Sequence, residues 1–486
     1  MRSVAPVIVR ALFTMMCVIP VGCGTDDATP LVEKSDDAVS QDAWADAEKT
    51  ADAGGVTATD AAPAIDSATE PGDIAPEDIG PPEPFAEAKH AAIPPLGYFG
   101  GALLAAPTIV TVTFAGDPFA KELQDFAAKL GKSAWWDAMR EGYCELPDGV
   151  TCVGLAQDAT IVEFPFAPAA AYTDSTDGSP SSIQGFIKAQ VASGLLPPPI
   201  KDILYVIYFP QKTKITLASG GGTAVDKSCK DFGAYHNHMV LNGQDTAYAI
   251  VPECAPSPFG DMDKLQTATV SSSHEIAEAV TDPFSKIGKN NTYIGGYRML
   301  GMSKADFPWV KAQRAGENAD MCQDILYVGR DQVLSDGYTV QRVWSNKSAA
   351  GGHDPCVPNP AGQPYFNVAP ANGKSLQKLS VGQSVTFNAT AFSDLPIAGG
   401  WKVTGGDSTS FISSQYPAFL DITINGKHEE NVQNGDVVEV SVTLVGDPSK
   451  YQFGASGLLV SKSLNGKLQN IWPIFVYTPG EAKYIP

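Results

Sequence analysis

A chain of 486 residues with 44% hydrophobic and 9% aromatic side chains can bury two or three sizeable cores. Its net charge of −21 is concentrated in residues 24–88, where 17 Asp/Glu meet two Lys. The rest is only mildly acidic and carries no basic stripe, which argues against a nucleic-acid partner.

Residues 1–23 read as a secretory signal. Arg2 and Arg10 flank the start, and Ala11–Val21 is an apolar run too short to span a bilayer comfortably. The run ends Pro20-Val21-Gly22-Cys23-Gly24, which resembles a bacterial lipoprotein box with Pro20 in place of the usual Leu. Acylation of Cys23 would then make it the mature N-terminus, and the only membrane contact would be that lipid anchor. Residues 24–92 are rich in Ala, Asp, Thr, Pro and Glu. They cannot bury enough surface to offset chain entropy, so they read as a disordered acidic tether. The expected location is the bacterial cell envelope, at the outer membrane or surface.

Residues 93–358 form the next unit. Thr108–Phe114 alternates β-branched residues and predicts a strand. Phe119–Gly142 has helical spacing, and Ala159–Phe164 predicts a short strand. Ser181–Ser193 predicts a helix that Pro197–Pro199 ends. Asp202–Phe209 is a nearly continuous apolar run, the pattern of a central strand covered on both faces. Gly220–Gly222 lacks the Gly-Lys-Ser/Thr that follows in a phosphate loop, so it carries no nucleotide expectation.

Tyr235-His236-Asn237-His238 precedes a predicted strand at Thr246–Val251. In extended backbone His236 and His238 face the same way. Next comes a helical pattern over residues 265–281, with Ser271–Ser273 available as N-caps and Pro283 as a stop. It contains His274-Glu275-Ile276-Ala277-Glu278. On a helix, His274 and Glu278 lie on one face, one turn apart, and can share one metal ion. Glu275 then falls close enough to accept a proton from water at that ion. This is the spacing of the His-Glu-x-x-His zinc helix, with Glu for the second His.

A second acidic element follows at Gly316-Glu317-Asn318-Ala319-Asp320-Met321-Cys322. Either Glu317 or Asp320 could complete the ligand set, the other orienting His274 through its second ring nitrogen. His353 reads as a loop histidine. Cys144, Cys152, Cys229, Cys254, Cys322 and Cys356 allow 15 pairings, of which the sequential one is simplest. Residues 359–486 hold alternating strands at Ser384–Ala391, Phe419–Asn425, Asp436–Val445 and Ile471–Tyr477. The expected fold is an α+β zincin-like domain followed by an all-β immunoglobulin-like sandwich.

The stretch His274 to Pro283, together with Glu317 to Cys322, resembles a set of exported bacterial metalloproteins. Those carry a Ser-His-Glu-x-Ala-Glu-Ala-Val-Thr-Asp-Pro helix and a later Glu-x-x-Asp-x-Cys element. More distantly the chain is similar to plant Exordium-like, phosphate-induced proteins. Tyr98–Phe114, Trp135-Trp136 and Val340–Asn346 fit the same pattern, while Asn318 stands where an apolar residue is usual. The resemblance covers about residues 93–358 and implies a metal site, not an established reaction.

Two functions follow as expectations. The first is a zinc metallopeptidase or related metallohydrolase acting on a polypeptide. His274, Glu278 and one of Glu317 or Asp320 would hold Zn²⁺, and Glu275 would act as base. His236, or Tyr235 beside it, would donate a hydrogen bond to the oxyanion, and Thr246–Val251 would be the edge strand that pairs with substrate. One histidine with two carboxylates makes zinc less electrophilic and favours harder cations more than two histidines would. The second is a surface lipoprotein without catalysis, with a structural metal and a glycan- or protein-binding sandwich.

Overall fold

The alternating run Thr108–Phe114 forms strand β1, as its β-branched pattern requires. The computed structural model describes residues 85–486, except 147–148, 219–224, 256–261, 289–291, 314–315, 324–331, 409–416 and 451–452. The leader, Cys23, most of the tether and the Gly220–Gly222 loop lie outside the described residues.

The helical stretch after β1 is broken into α1 (Ala120–Leu130) and α2 (Ala134–Arg140), the second capped by the Ser133 side chain. Then come β2 (Thr160–Phe164), α3 (Ile183–Ala192) and β3 (Ile203–Phe209). A hairpin follows, β4 (Tyr235–Leu241) and β5 (Gln244–Pro252). Its two-residue turn, Asn242-Gly243, has positive φ at both positions, the conformation that suits a tight hairpin.

These strands make one sheet in the order β2-β1-β3-β5-β4. Pairings β1–β2, β1–β3 and β3–β5 are parallel; only β4–β5 is antiparallel. The side-chain period of two sorts β3 and β5 onto two apolar faces. Leu204, Val206, Tyr208, Ala247, Ala249 and Val251 face one core, and Tyr205, Ile207, Phe209, Tyr248 and Ile250 the other. The sheet is therefore buried on both sides, as parallel sheets are.

Against the first face lies α4 (Lys264–Thr281), buried from Thr267 to Thr281. The helix starts earlier than the expected serine caps. Asp263 is the N-cap, in a capping box with Gln266. Ser272 and Ser273 instead sit inside it and bond back to Thr269 and Val270 carbonyls. Their small side chains let other elements approach α4 closely. Strand β6 (Gln332–Ser335) pairs with β7 (Tyr338–Gln341), and Gln341 N–H donates to Ser273 Oγ at 2.9 Å.

The expected zincin-like α+β domain with a following immunoglobulin-like sandwich does not form. Strand dominates the described residues and is spread over eight sheets, four of them two-stranded. Gly-, Asn- and Pro-rich connections after α4 fold into short pairs, such as Lys286–Ile287 with Tyr293–Ile294. Such pairs are too brief to leave a periodic signal.

Beyond residue 359 the strands form two sheets. One runs Phe366–Pro370, Ser384–Ser393, Val437–Leu444, Leu420–Ile424. The other runs Leu376–Lys378, Gln469–Tyr477, Ala455–Ser463, Trp401–Asp407, Glu429–Val432. Their apolar side chains share one continuous core with α1, α4 and β3. Helix α5 (Phe307–Gln313) makes the join. Trp309 packs edge-on against Trp344 and Trp472, both at 5.4 Å between ring centroids.

Disulfides pair Cys144 with Cys152, Cys229 with Cys254, and Cys322 with Cys356, in the sequential order expected. Three disulfides are the chemistry of a protein that matures in an oxidising, extracytoplasmic compartment.

Replacing Trp309 with Ala removes a ring that is 1% exposed from this join. The expected cost is about 3–5 kcal/mol. Urea unfolding should show one lowered transition; two separated transitions would contradict a shared core.

Candidate functional site

The site is built on one helix face. His274, Glu275 and Glu278 are all buried on α4, with Glu278 fully inaccessible. Asp320 and Glu317 reach them from the loop that ends in the 3-10 turn Asp320–Cys322. That loop is held at three places. Asn318 Nδ2 donates to the Ala277 carbonyl on α4 at 3.4 Å, Trp344 N–H donates to the Asn318 carbonyl at 2.8 Å, and Cys322 is bonded to Cys356. Asn318, which departs from the resemblance, thus has a polar task at a fully buried position.

His274 is fixed first. Its Nδ1 lies 2.9 Å from Gln341 Oε1, and Gln341 Nε2 donates to the Ala319 carbonyl at 2.7 Å. The amide is therefore oriented with its oxygen toward the imidazole, so Nδ1 carries the hydrogen. Nε2 then faces inward and, in the neutral ring, carries the lone pair. It stands 3.0 Å from Glu278 Oε1 and 3.7 Å from Asp320 Oδ1. Neither His274 Nε2 nor Glu278 Oε2 has a hydrogen-bond partner, although both are buried. Buried polar atoms of this kind are rare and need an explanation.

The second cluster centres on His236, from β4. Its Nδ1 is 3.2 Å from Glu275 Oε2 and 3.4 Å from Glu278 Oε2, and its Nε2 is 3.8 Å from Glu317 Oε1. Arg298 Nη1 donates to Glu317 Oε1 at 3.3 Å. Arg298 is brought in by the loop under α4. There Gly296 N–H donates to Asp282 Oδ1 at 2.7 Å, and a Cβ on Gly296 would fall 1.9 Å from the Thr281 carbonyl oxygen. Only glycine permits that approach.

His274, Glu278 and Asp320 therefore converge, and so do His236, Glu278 and Glu317. Asp320 takes the position of third donor beside His274. Glu317 does not orient His274; Gln341 does. Tyr235 points away from the site, as strand alternation demands, into the other core against Phe232. His238 packs on Phe284, and His353 stands against Glu87. Thr246–Val251 is not an edge: β5 is covered by β4, and β4 is the outer strand. Sequence reasoning missed Gln341 and Arg298 as site residues. Gln341 lies inside the Val340–Asn346 motif, and Arg298 had no local signal.

Burial and like charge set the titration. Burial pushes Glu317 up to about 8 despite Arg298 beside it, and burial with Glu278 pushes Asp320 up to about 7. Burial likewise raises Glu275, against the pull of His236. Burial would also raise Glu278, but His274 and His236 hold it well below the usual carboxylate range. For the two imidazoles burial alone would lower the value. Glu278 lifts His274, and Glu317 with Glu275 lifts His236, both well above the ordinary 6.5. The cluster, in short, attracts positive charge.

No family model and no curated protein matches this chain. Among solved structures it is similar to domain 1 of VCBP3 from Branchiostoma floridae, at 9% identity and a TM-score of 0.16, over 25% of this chain and 99% of that one. It is also similar to two structures of the surface layer protein SbsC, at 10% identity and a TM-score of 0.17. Those matches cover 56% of this chain and 39% of SbsC. Similarity at these scores supports no conclusion on fold or activity.

With chelator present, the raised groups make the protein less stable as pH rises. A carboxyl raised on folding contributes stability below its unfolded value and loses it as pH climbs to the folded one; the raised imidazoles act in the same sense. Thermal unfolding should therefore fall between about pH 4.5 and pH 8, the ordinary and folded values of Glu317. Asp320→Asn should flatten that slope, and a rise in Tm over this window would contradict the assignment.

Proposed function

We propose that this exported protein is a divalent-metal-dependent hydrolase, of the zinc peptidase type, with His274, Glu278 and Asp320 as the ligands. One observation carries the reading: His274 Nε2 and Glu278 Oε2 are buried without hydrogen-bond partners, beside the carboxylates of Asp320 and Glu317. The donor set fits an ion of this class. Donors bound tetrahedrally at about 2.0–2.1 Å stand roughly 3.3 Å apart. His274 Nε2 is 3.0 Å from Glu278 Oε1 and 3.7 Å from Asp320 Oδ1, on either side of that spacing. When bound, such an ion polarises a carbonyl and lowers the pKa of water.

The remaining steps belong to this chain's own groups. Gln341 keeps the His274 hydrogen on Nδ1, leaving Nε2 as a donor of electrons. Glu275 is outside the ligand set and next to it. Burial raises its pKa and so makes the carboxylate a stronger base, able to take a proton from water and return it to a leaving amine. His236 holds the Glu275 carboxylate at 3.2 Å and so directs that proton transfer. Among the described residues β4 is the outer strand of its sheet, and its edge beside His236 would take an extended polypeptide.

A second reading, a structural ion without catalysis, is favoured by burial. All the acidic donors are less than a tenth exposed, and structural sites are closed. Against it stands Glu275, a buried carboxyl that a closed four-ligand site has no use for.

Glu275→Gln separates the two. The expected variant keeps its metal content and loses hydrolysis of a peptide library by about 10²–10⁴-fold. Loss of metal together with activity would make Glu275 a ligand; unchanged hydrolysis would remove it as the base. His274→Ala should abolish stoichiometric metal. Gln341→Leu should weaken metal affinity by about 10–100-fold with the fold retained. An affinity equal to wild type would show that the Gln341 contact does not orient His274.

A further inference from the structure

Resting on the metal reading above, we propose that the site binds two divalent cations, with Glu278 as the bridging ligand. The second ion would be held by His236, Glu317 and Glu278.

The arrangement is doubled around one carboxylate. His274, Glu278 and Asp320 form one donor set, and His236, Glu278 and Glu317 form another. Glu278 is the only residue common to both. Its two oxygens are divided between them: Oε1 lies 3.0 Å from His274 Nε2, and Oε2 lies 3.4 Å from His236 Nδ1. Oε2 is fully buried and has no hydrogen-bond partner, so the side facing His236 is as incomplete as the side facing His274.

The two imidazoles are presented in related ways, with Glu278 on the Nε2 side of His274 and on the Nδ1 side of His236. His274 has Nδ1 against Gln341 Oε1 at 2.9 Å and Nε2 toward Asp320 Oδ1 at 3.7 Å. His236 has Nδ1 against Glu275 Oε2 at 3.2 Å and Nε2 toward Glu317 Oε1 at 3.8 Å. In each half one ring nitrogen is held by an acceptor, and the other faces a terminal carboxylate. Each half thus offers an imidazole, a terminal carboxylate and one oxygen of a shared carboxylate. Two-metal sites are built on this plan, with ions about 3.5–4 Å apart.

Charge supports the count. Glu275, Glu278, Glu317 and Asp320 are buried together, with Asp282 also buried at the end of α4. Arg298 is the guanidinium that faces them, through Glu317. With both ions bound, all five carboxylates ionised and both histidines neutral as ligands, two dications and Arg298 sum with the carboxylates to zero net charge. Arg298 does not displace the second ion, because a carboxylate oxygen has two lone pairs and Glu317 has two oxygens.

The test counts ions on the full chain. Protein stripped with chelator is dialysed against Zn²⁺ and measured by plasma mass spectrometry, then titrated with Mn²⁺ under electron paramagnetic resonance. The expected result is two Zn²⁺ per chain and a spin-coupled Mn²⁺ pair in wild type, with one ion and no coupling in His236→Ala and in Glu317→Gln. If wild type binds one Zn²⁺ and gives only isolated Mn²⁺, the second site is overturned and the single-ion reading stands. No stoichiometric metal overturns both. Two ions retained in both variants would place the second ion elsewhere and overturn this assignment. Should the variants fail to fold, the wild-type count and coupling decide alone.

Discussion

Four carboxylates meet at the centre of this protein, and the rest of the site is arranged around the cost of putting them there. Glu275, Glu278, Glu317 and Asp320 are each less than a tenth exposed. An ionised carboxylate is expensive to bury, and like charges multiply the expense. The surroundings respond in kind. Arg298 is drawn against Glu317, His236 and His274 are pressed toward their charged forms, and Glu317 and Asp320 are pressed toward their neutral ones. In hydrogen-bond geometry, His274 Nε2 and Glu278 Oε2 nonetheless keep no partner. On the proposed reading, a cation satisfies both at once.

The framework explains how so much like charge can be held in place. Helix α4 is buried along most of its length, against the parallel sheet on one side and β7 on the other. Ser272, Ser273 and Thr281 bond back to its own carbonyls, while Ser271 Oγ is buried without a partner. On the far side, α5 inserts its tryptophan into the C-terminal sheets. The turn bearing Glu317 and Asp320 is tied to α4 by Asn318 and to Cys356 by the Cys322 disulfide. Rigidity of this kind is what keeps mutually repelling groups from separating.

The strands of the parallel sheet were legible because their residues alone declare them. Thr108–Phe114 is β-branched at every position but the last, and Ile203–Phe209 is apolar throughout. The helix face was legible for a similar reason: His274 and Glu278 are four apart, and any helix brings that pair together. The larger architecture was not. Short pairs such as Val343–Trp344 with Cys356–Val357 depend on distant partners rather than on local pattern. The core shared across residue 359 depends on Trp309, whose seven-residue helix looks unremarkable in sequence. Within the site, the third donor was narrowed to two residues but not chosen, since Glu317 and Asp320 differ only in which side of a turn they face. Gln341 was hidden because its role requires β7 to lie on α4, sixty-seven residues away.

The disulfide between Cys322 and Cys356 has a consequence for timing. Asp320 lies two residues before Cys322, and the tie fixes that turn to the strand following Trp344. While the thiols are reduced, as they are before export, this tie is missing and the acidic loop keeps more of its chain entropy. On the proposed reading, the ligand set would then be complete only after oxidation. Affinity for the ion would accordingly be linked to maturation, sparing the cell's internal pool from capture by the unfinished chain.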